Sequence, residues 1–198
     1  MATLGRERIL AEARDLFLER GAGGVTMRGV AARIGVTPMA LYRHFDNRDD
    51  LLTAIVAHGH ATFLHYLNRA LAEPTPAARL RAAGRQYLAF ALDHPRSYAM
   101  MFMEQVAPAP KRDAAQTWED AATFRFLVDR IRDCAADGAL RADDPEDVAL
   151  TVWAHVHGLV SLFLAGRLPL QRRAFTRLYQ HSVEALLHAF GWRQASVG

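Results

Sequence analysis

The sequence predicts an all-α protein, with an N-terminal three-helix head built on a helix-turn-helix and a C-terminal helical bundle, about nine helices together. Three observations carry this. Apolar residues recur at 3.6-residue spacing along the chain, and no alternating strand pattern appears. Proline and glycine punctuate the periodic segments at intervals suited to helices. Val25 to Leu52 has the order cap, short helix, glycine, cap-proline, short helix, and then the start of a longer helix.

The first helix is expected over Gly5–Glu19, with Ile9, Ala13, Leu16 and Phe17 inward. Thr26 is placed to cap a second helix with Met27, Val30, Ala31 and Ile34 on its apolar side. Gly35 ends it, because glycine accepts the left-handed conformation of a helix stop. Thr37 caps the third, and Pro38 stands at its first position, where a missing N–H costs nothing. Ala40, Leu41 and Phe45 pack that helix inward, leaving Met39, Tyr42, Arg43 and His44 on other faces. Such a motif lays its second helix in the DNA major groove.

The remaining elements follow by the same rules. A long helix is expected from Arg48 to about Leu71, capped by Asn47 or Asp46. Pro74 and Pro76 break the chain before a helix that runs to Asp93 and ends at His94-Pro95. A short Met-rich helix spans Arg96–Gln105, and Ala107-Pro108-Ala109-Pro110 reads as a loop. A helix from about Asp113 to Asp137 stops at Gly138; another runs from Pro145 to Gly166; the last covers about Gln171–Phe190 and ends at Gly191. The last two are apolar over more than one stripe, so they need cover on more than one side.

The head resembles that of the TetR family of transcriptional regulators. The matching residues run in register: Arg8-Ile9-Leu10, Ala13, Leu16-Phe17, Glu19-Arg20-Gly21, Thr26-Met27-Arg28, Val30-Ala31, Gly35-Val36, Leu41-Tyr42, His44-Phe45, Arg48 and Leu51-Leu52. A second, weaker resemblance lies at Trp153, His157 and Gly158, which are similar to the Trp–His–Gly signature of one class of TetR C-terminal domains. The resemblance implies a DNA-binding domain over 1–50 and a ligand-binding and dimerisation domain over 51–198. It implies a homodimer in which the last two helices pair with their symmetry mates as a four-helix bundle.

For DNA contact, the resemblance puts Arg28 within reach at the head of the second helix. Thr37, Pro38, Met39, Ala40 and Arg43 open and carry the recognition helix. Met39 and Ala40 offer apolar contact to thymine methyls, and Arg43 suits a guanine or a phosphate. Thr26, Tyr42, His44 and Arg48 are expected on phosphates. The resemblance implies an effector chamber in the middle helices. Its candidates are Tyr87, Phe90, Met100, Met101, Phe102, Trp118, Phe124, Trp153 and His157, since aromatics and Met make an adaptable apolar pocket. His155 is a further candidate for orienting a ligand; His157 suits equally a core histidine bonded to a carbonyl.

Charge and composition limit the alternatives. The 198 residues carry a net charge of +3, and residues 1–50 hold eight Arg and seven acids. DNA affinity must then come from the placement of Arg rather than bulk charge. Of the 24 basic residues only Lys111 is lysine, and arginine is spread over the whole chain, as a biased genome composition produces. The lone Cys134 excludes an intrachain disulfide and reads as a small buried hydrophobe. No apolar run approaches the ~20 residues of a membrane span, and no charged leader with an apolar core opens the chain, so no membrane partner and a cytoplasmic location are expected. The nine histidines include no i,i+3 or i,i+4 pair; His58/His60 and His155/His157 point about 200° apart on a helix. No HExxH, CxxC, phosphate loop or nucleophile elbow is present. No metal, no cofactor and no catalytic residue is expected.

The reading is a repressor that binds an inverted-repeat operator in double-stranded DNA as a homodimer and is released by a small apolar or aromatic effector. An effector-independent or activating regulator stays open beside it. A non-DNA-binding ligand carrier and an enzyme come last.

Overall fold

A computed structural model of the chain describes residues 5–103 and 122–192. Among them the regular structure consists of nine α-helices and two short 3-10 turns: α1 Arg6–Arg20, α2 Met27–Ile34, α3 Pro38–Leu41, α4 Arg48–Asn68, α5 Pro76–Asp93, α6 Pro95–Phe102, α7 Ala122–Ala136, α8 Pro145–Leu164 and α9 Arg172–Ala189. The 3-10 turns are Ala22–Gly24 and Arg69–Ala72. The loop expected at 107–110 and the first turns of the helix expected from 113 lie outside the described residues.

Local chemistry accounts for most boundaries. The Thr26 hydroxyl accepts from Gly29 N at 3.0 Å and caps α2. Gly35 closes α2 at φ 78°, and its N–H returns to Ala31 O. Thr75, with Pro76 following, caps α5 through Ala78 N at 3.1 Å. Asp144 accepts from Glu146 N and Asp147 N ahead of Pro145 at the start of α8. Thr37 holds the cap position of α3 with extended backbone, but its side chain makes no cap bond, contrary to expectation.

The chain divides into two compact units, residues 1–61 with 96–111, and 62–95 with 112–198. The first unit therefore holds α1–α3, α4 as far as Ala61, and α6 from Arg96. Its core joins Ile9, Ala13, Leu16 and Phe17 of α1 to Val30 and Ala31 of α2, to Leu41 and Phe45, and to Leu51, Leu52 and Ile55 of α4. Met100 of α6 completes it, 3% exposed. Met101 packs into the notch at Gly59, where a built Cβ would stand 2.8 Å from its sulfur.

The second unit builds its core from Ala77 and Leu80 of α5, Phe124, Val128, Ile131 and Cys134 of α7, Val148, Ala149 and Val152 of α8, and Leu187 of α9. Phe163 and Phe175 stack at 4.0 Å between α8 and α9. Cys134 is fully buried, and burial, with Asp133 and Asp137 adding to it, pushes the thiol up to about 12. The thiol then stays protonated and enclosed at pH 8. The native protein is expected to resist a disulfide reagent at that pH and to take up one equivalent only when unfolded; native labelling at the unfolded rate would refute the burial.

Helix α8 corrects one expectation. Its 20 residues are long and apolar enough to cross a membrane by length and composition, with mean hydropathy 1.4, although only 28% of that window is buried inside the chain. Within the second unit its middle is tied by polar bonds: His155 Nε2 lies 2.9 Å from Ser182 Oγ of α9, and His157 Nδ1 lies 3.4 Å from the Tyr87 hydroxyl of α5. A helix that spends its mid-length polar groups on neighbouring helices behaves as a bundle helix with an uncovered apolar side.

Candidate functional site

The recognition segment follows from the packing beneath it. Leu41 and Phe45 are buried, at 0% and 1% exposure, and fix which way the four residues of α3 and the turn after it face. Thr37, Pro38, Met39, Tyr42 and Arg43 are consequently exposed, Met39 at 72% and Tyr42 at 47%. Ala40 and His44 are half-buried at the edge of that surface. Arg28 and Thr26 are exposed at the start of α2. Because the Thr26 oxygen accepts the capping bond, its hydroxyl proton remains to donate to an anion.

Two arginines hold this surface in place. Arg33 of α2 was not singled out in the sequence. It donates to both oxygens of Glu19 at 2.6 and 2.7 Å and to Glu12 at 3.0 Å, joining α2 to α1. Glu12 and Glu19 stand two turns apart on one face of α1, a spacing that could have revealed the clamp. The hydrogen bond from Arg33 holds the Glu19 carboxyl below the usual carboxylate range. The contribution of the clamp is present above that range and is lost as pH falls through the lowered value. The second is Arg48, which donates through Nε to Val25 O at 2.7 Å and through Nη2 to Ala22 O at 2.6 Å. Those donors are aimed at carbonyls of its own chain.

A third contact in this unit was also missed. Arg14 of α1 donates to His58 Nε2 of α4 at 2.9 Å, and burial followed by the Arg14 charge lowers the pKa of His58. The bond requires His58 to be neutral at that nitrogen.

The expected effector residues fall into separate groups. Tyr87, Trp153, His157 and Phe124 form a continuous set in the second unit: Tyr87 OH to His157 Nδ1 at 3.4 Å, Trp153 to His157 rings at 5.8 Å, and Phe124 to Trp153 rings at 6.1 Å. His157 Nε2 lies 3.4 Å from Ser161 Oγ. Burial lowers its pKa, leaving a neutral ring at pH 7. Phe90 is fully buried and packs on Phe63 at 4.9 Å, as core. Met100, Met101 and Phe102 do not join this group. They pack within the first unit, Met100 in its core, Met101 on Gly59 and Phe102 edge-on to His60 at 5.8 Å. Trp118 lies outside the described residues. No group of three or more His, Cys, Asp or Glu side chains that could hold a metal occurs among the described residues.

Comparison with known proteins assigns this geometry. Residues 9–55 match the family described as bacterial regulatory proteins, tetR family, and residues 80–186, more than half of the chain, match the tetracyclin repressor-like C-terminal domain. The C-terminal match does not single out the Trp–His–Gly class. The chain is 28% identical over 155 residues to the HTH-type transcriptional regulator Rv1816 of Mycobacterium tuberculosis, a match covering 73% of this chain but only 64% of that protein. Among solved structures, it is similar to a protein of unknown function from Rhodococcus sp. RHA1, with TM-score 0.77 and 26% identity over 94% of this chain and 98% of the other. It also shares the fold of a tetR-family regulatory protein from Rhodococcus RHA1, with TM-score 0.70 and 24% identity over 96% and 98% of the two chains. Where their names state a role, these relatives are regulators. The chain belongs to the TetR family of DNA-binding transcriptional regulators.

Proposed function

We propose that the protein is a cytoplasmic repressor that binds an inverted-repeat operator as a homodimer and releases it when a small apolar or aromatic effector enters the second unit. The observation that carries the DNA half is the exposure of Thr37, Pro38, Met39, Tyr42 and Arg43 above a buried Leu41 and Phe45. A Met 72% exposed on a four-residue helix, with an exposed Arg in the turn after it, suits contact with thymine methyls and a guanine edge. On this reading 1–50 is the DNA-binding domain, with Arg28, Ala40 and His44 at the rim of the contact, and the rest of the chain senses and dimerises.

The effector half rests on the set Tyr87, Phe124, Trp153 and His157. Its polar atoms are neutral hydrogen-bonding groups, which favours an uncharged, largely apolar ligand with one polar function over a metal or a sugar. The 5.8 Å approach of Trp153 to His157 supports placing the unit in the Trp–His–Gly class. A ligand moves the equilibrium only by its difference in affinity for the two forms, and a shift from 1:99 to 99:1 needs ~5.5 kcal/mol. Burial of a drug-sized apolar molecule supplies that order of energy.

Selection of genomic fragments with the purified chain tests the first half: an inverted repeat with half-sites about one helical turn, ~34–36 Å, apart is expected. Recovery of sequences with no common element would overturn the operator reading. Trp fluorescence titration with apolar aromatic ligands, with and without the recovered operator, tests the second half. The ligand must bind the DNA complex more weakly by the factor with which it weakens DNA binding. Ligand binding without that reciprocity leaves the effector-independent regulator in its place.

A further inference from the structure

Arg48 is the first residue of α4, a position where the helix dipole disfavours a cation. Its guanidinium is compensated by two backbone carbonyls, Val25 O at 2.7 Å and Ala22 O at 2.6 Å, which lie 23 and 26 residues earlier in the chain. Its remaining close charge is Asp49, 3.8 Å from Nη1. Between the two ends of these bonds lie the whole of α2, the Gly35 turn and α3. Above the apolar core, one side chain therefore ties the two ends of the helix-turn-helix together.

The carbonyls it holds are the ones that launch α2. Ala22 O also accepts the N–H of Val25 at 3.2 Å, so the turn and the guanidinium converge on one oxygen. Val25 is fully buried, and the next residue, Thr26, is the cap of α2. A planar guanidinium reaches two oxygens at fixed spacing; an ammonium is a single point and does not reproduce the fork.

We propose that Arg48 is a positioning residue for DNA readout, acting through the carbonyls of Ala22 and Val25 and not through a DNA phosphate. It ties the first turn of α4 to the turn before α2, so that α2 and α3 meet the groove in one orientation. The positioning function separates from phosphate contact in three measurable ways. Loss of a phosphate contact weakens all duplexes alike and lowers the dependence of log affinity on log salt by about 0.9. Loss of positioning weakens the specific complex and leaves the salt slope. Lysine substitutes for a phosphate contact and not for a fork.

The test uses the full chain, its selected operator, an unrelated duplex of equal length, and the variants Arg48→Lys and Arg48→Gln. Both variants are expected to lose about ten- to a hundredfold in operator affinity, as two charge-assisted bonds would carry. Arg48→Lys is expected to keep the wild-type salt slope and to bind the unrelated duplex within about twofold of wild type. The amides of Gly24 and Val25, bonded to Gly21 O and Ala22 O, should exchange with solvent faster in both variants. Restoration of operator affinity by Arg48→Lys overturns the proposal, as does equal loss on both duplexes with a lowered slope, or wild-type affinity in both variants. If Arg48→Gln does not fold, Arg48→Lys alone decides, since it keeps the charge and the stem.

Discussion

Leu162→Glu is expected to halve the mass of the particle in solution and to abolish tight operator binding. Leu162 is 46% exposed in the single chain and continues an outward row on α8 with Leu150, Ala154 and Gly158. A glutamate there is solvated in the free protomer and costs the fold little. Across a two-fold interface it is buried, and symmetry buries two. An uncompensated buried charge costs ~3–5 kcal/mol, so the pair moves a nanomolar dimer towards the millimolar range. Light scattering at micromolar concentration reads the mass, and far-ultraviolet circular dichroism checks that the helices persist. A wild-type mass in this variant would show that the α8 face is not the interface. Gly158→Ala gives an independent measure: a Cβ at Gly158 meets nothing within 4 Å among the described residues, and Ala favours a helix by ~1 kcal/mol over Gly. The protomer gains stability while a dimer closed on Gly158 loses it. Val160, which the apolar pattern alone offers as an interface position, is fully buried in its own protomer, so a charge there would test the core and not the assembly.

Val160 illustrates what a periodic sequence tells and what it withholds. Spacing identifies an apolar face but not which neighbour covers it. The boundaries legible in advance were those with a local cause: Thr26 and Gly35 around α2, Pro38 at the head of α3, Pro145 at the head of α8 and Gly191 at φ 72° after α9. The end of α4 was placed three residues late, because Arg69–Ala72 tightens into a 3-10 turn before any proline or glycine announces a stop. Met100, Met101 and Phe102 show the same limit as Val160. Their stripe suits a chamber or a core equally, and they pack in the first unit, 40 or more residues along the chain from their partners on α4.

The arginines show the same limit for polar groups. The acids that receive Arg33 are side chains at helical spacing and were visible in principle. The acceptors of Arg48 are backbone carbonyls, which every residue carries, so no residue type marks them. The exposed row Thr37, Met39, Tyr42 and Arg43 was legible because a short helix with two inward residues leaves few choices for the rest. The polar set around His157 was half legible: Tyr87 and His157 stand out in the sequence, while Ser161 and the bonds to it and to Tyr87 come from helix packing.

Phe45→Ala is expected to unfold the first unit and remove operator binding while the second unit stays folded. Phe45 is 1% exposed and closes the recognition segment against Leu41, Leu51 and Leu52 in one core cluster. The Arg6 guanidinium lies 4.5 Å above its ring, so α1 is anchored to the same side chain. Truncating a buried Phe costs ~3–5 kcal/mol, and loss of the cation–π contact adds ~0.5–1 kcal/mol. A unit with so small a core has a stability of only a few kcal/mol by itself, so the loss is comparable to the whole. Hydrogen exchange should then rise across α1–α3 and stay slow in α7–α9, and operator affinity should fall by more than about a hundredfold. Met39→Ala provides the contrast. At 72% exposure its truncation costs the protomer little, so the variant's melting temperature should match wild type while preference at one base position relaxes by about 1–3 kcal/mol. Unchanged melting and operator affinity within about threefold for Phe45→Ala would mean that the buried ring does not set the recognition surface. The exposure of Met39 and Arg43 would then need another cause than the packing of Leu41 and Phe45 beneath them.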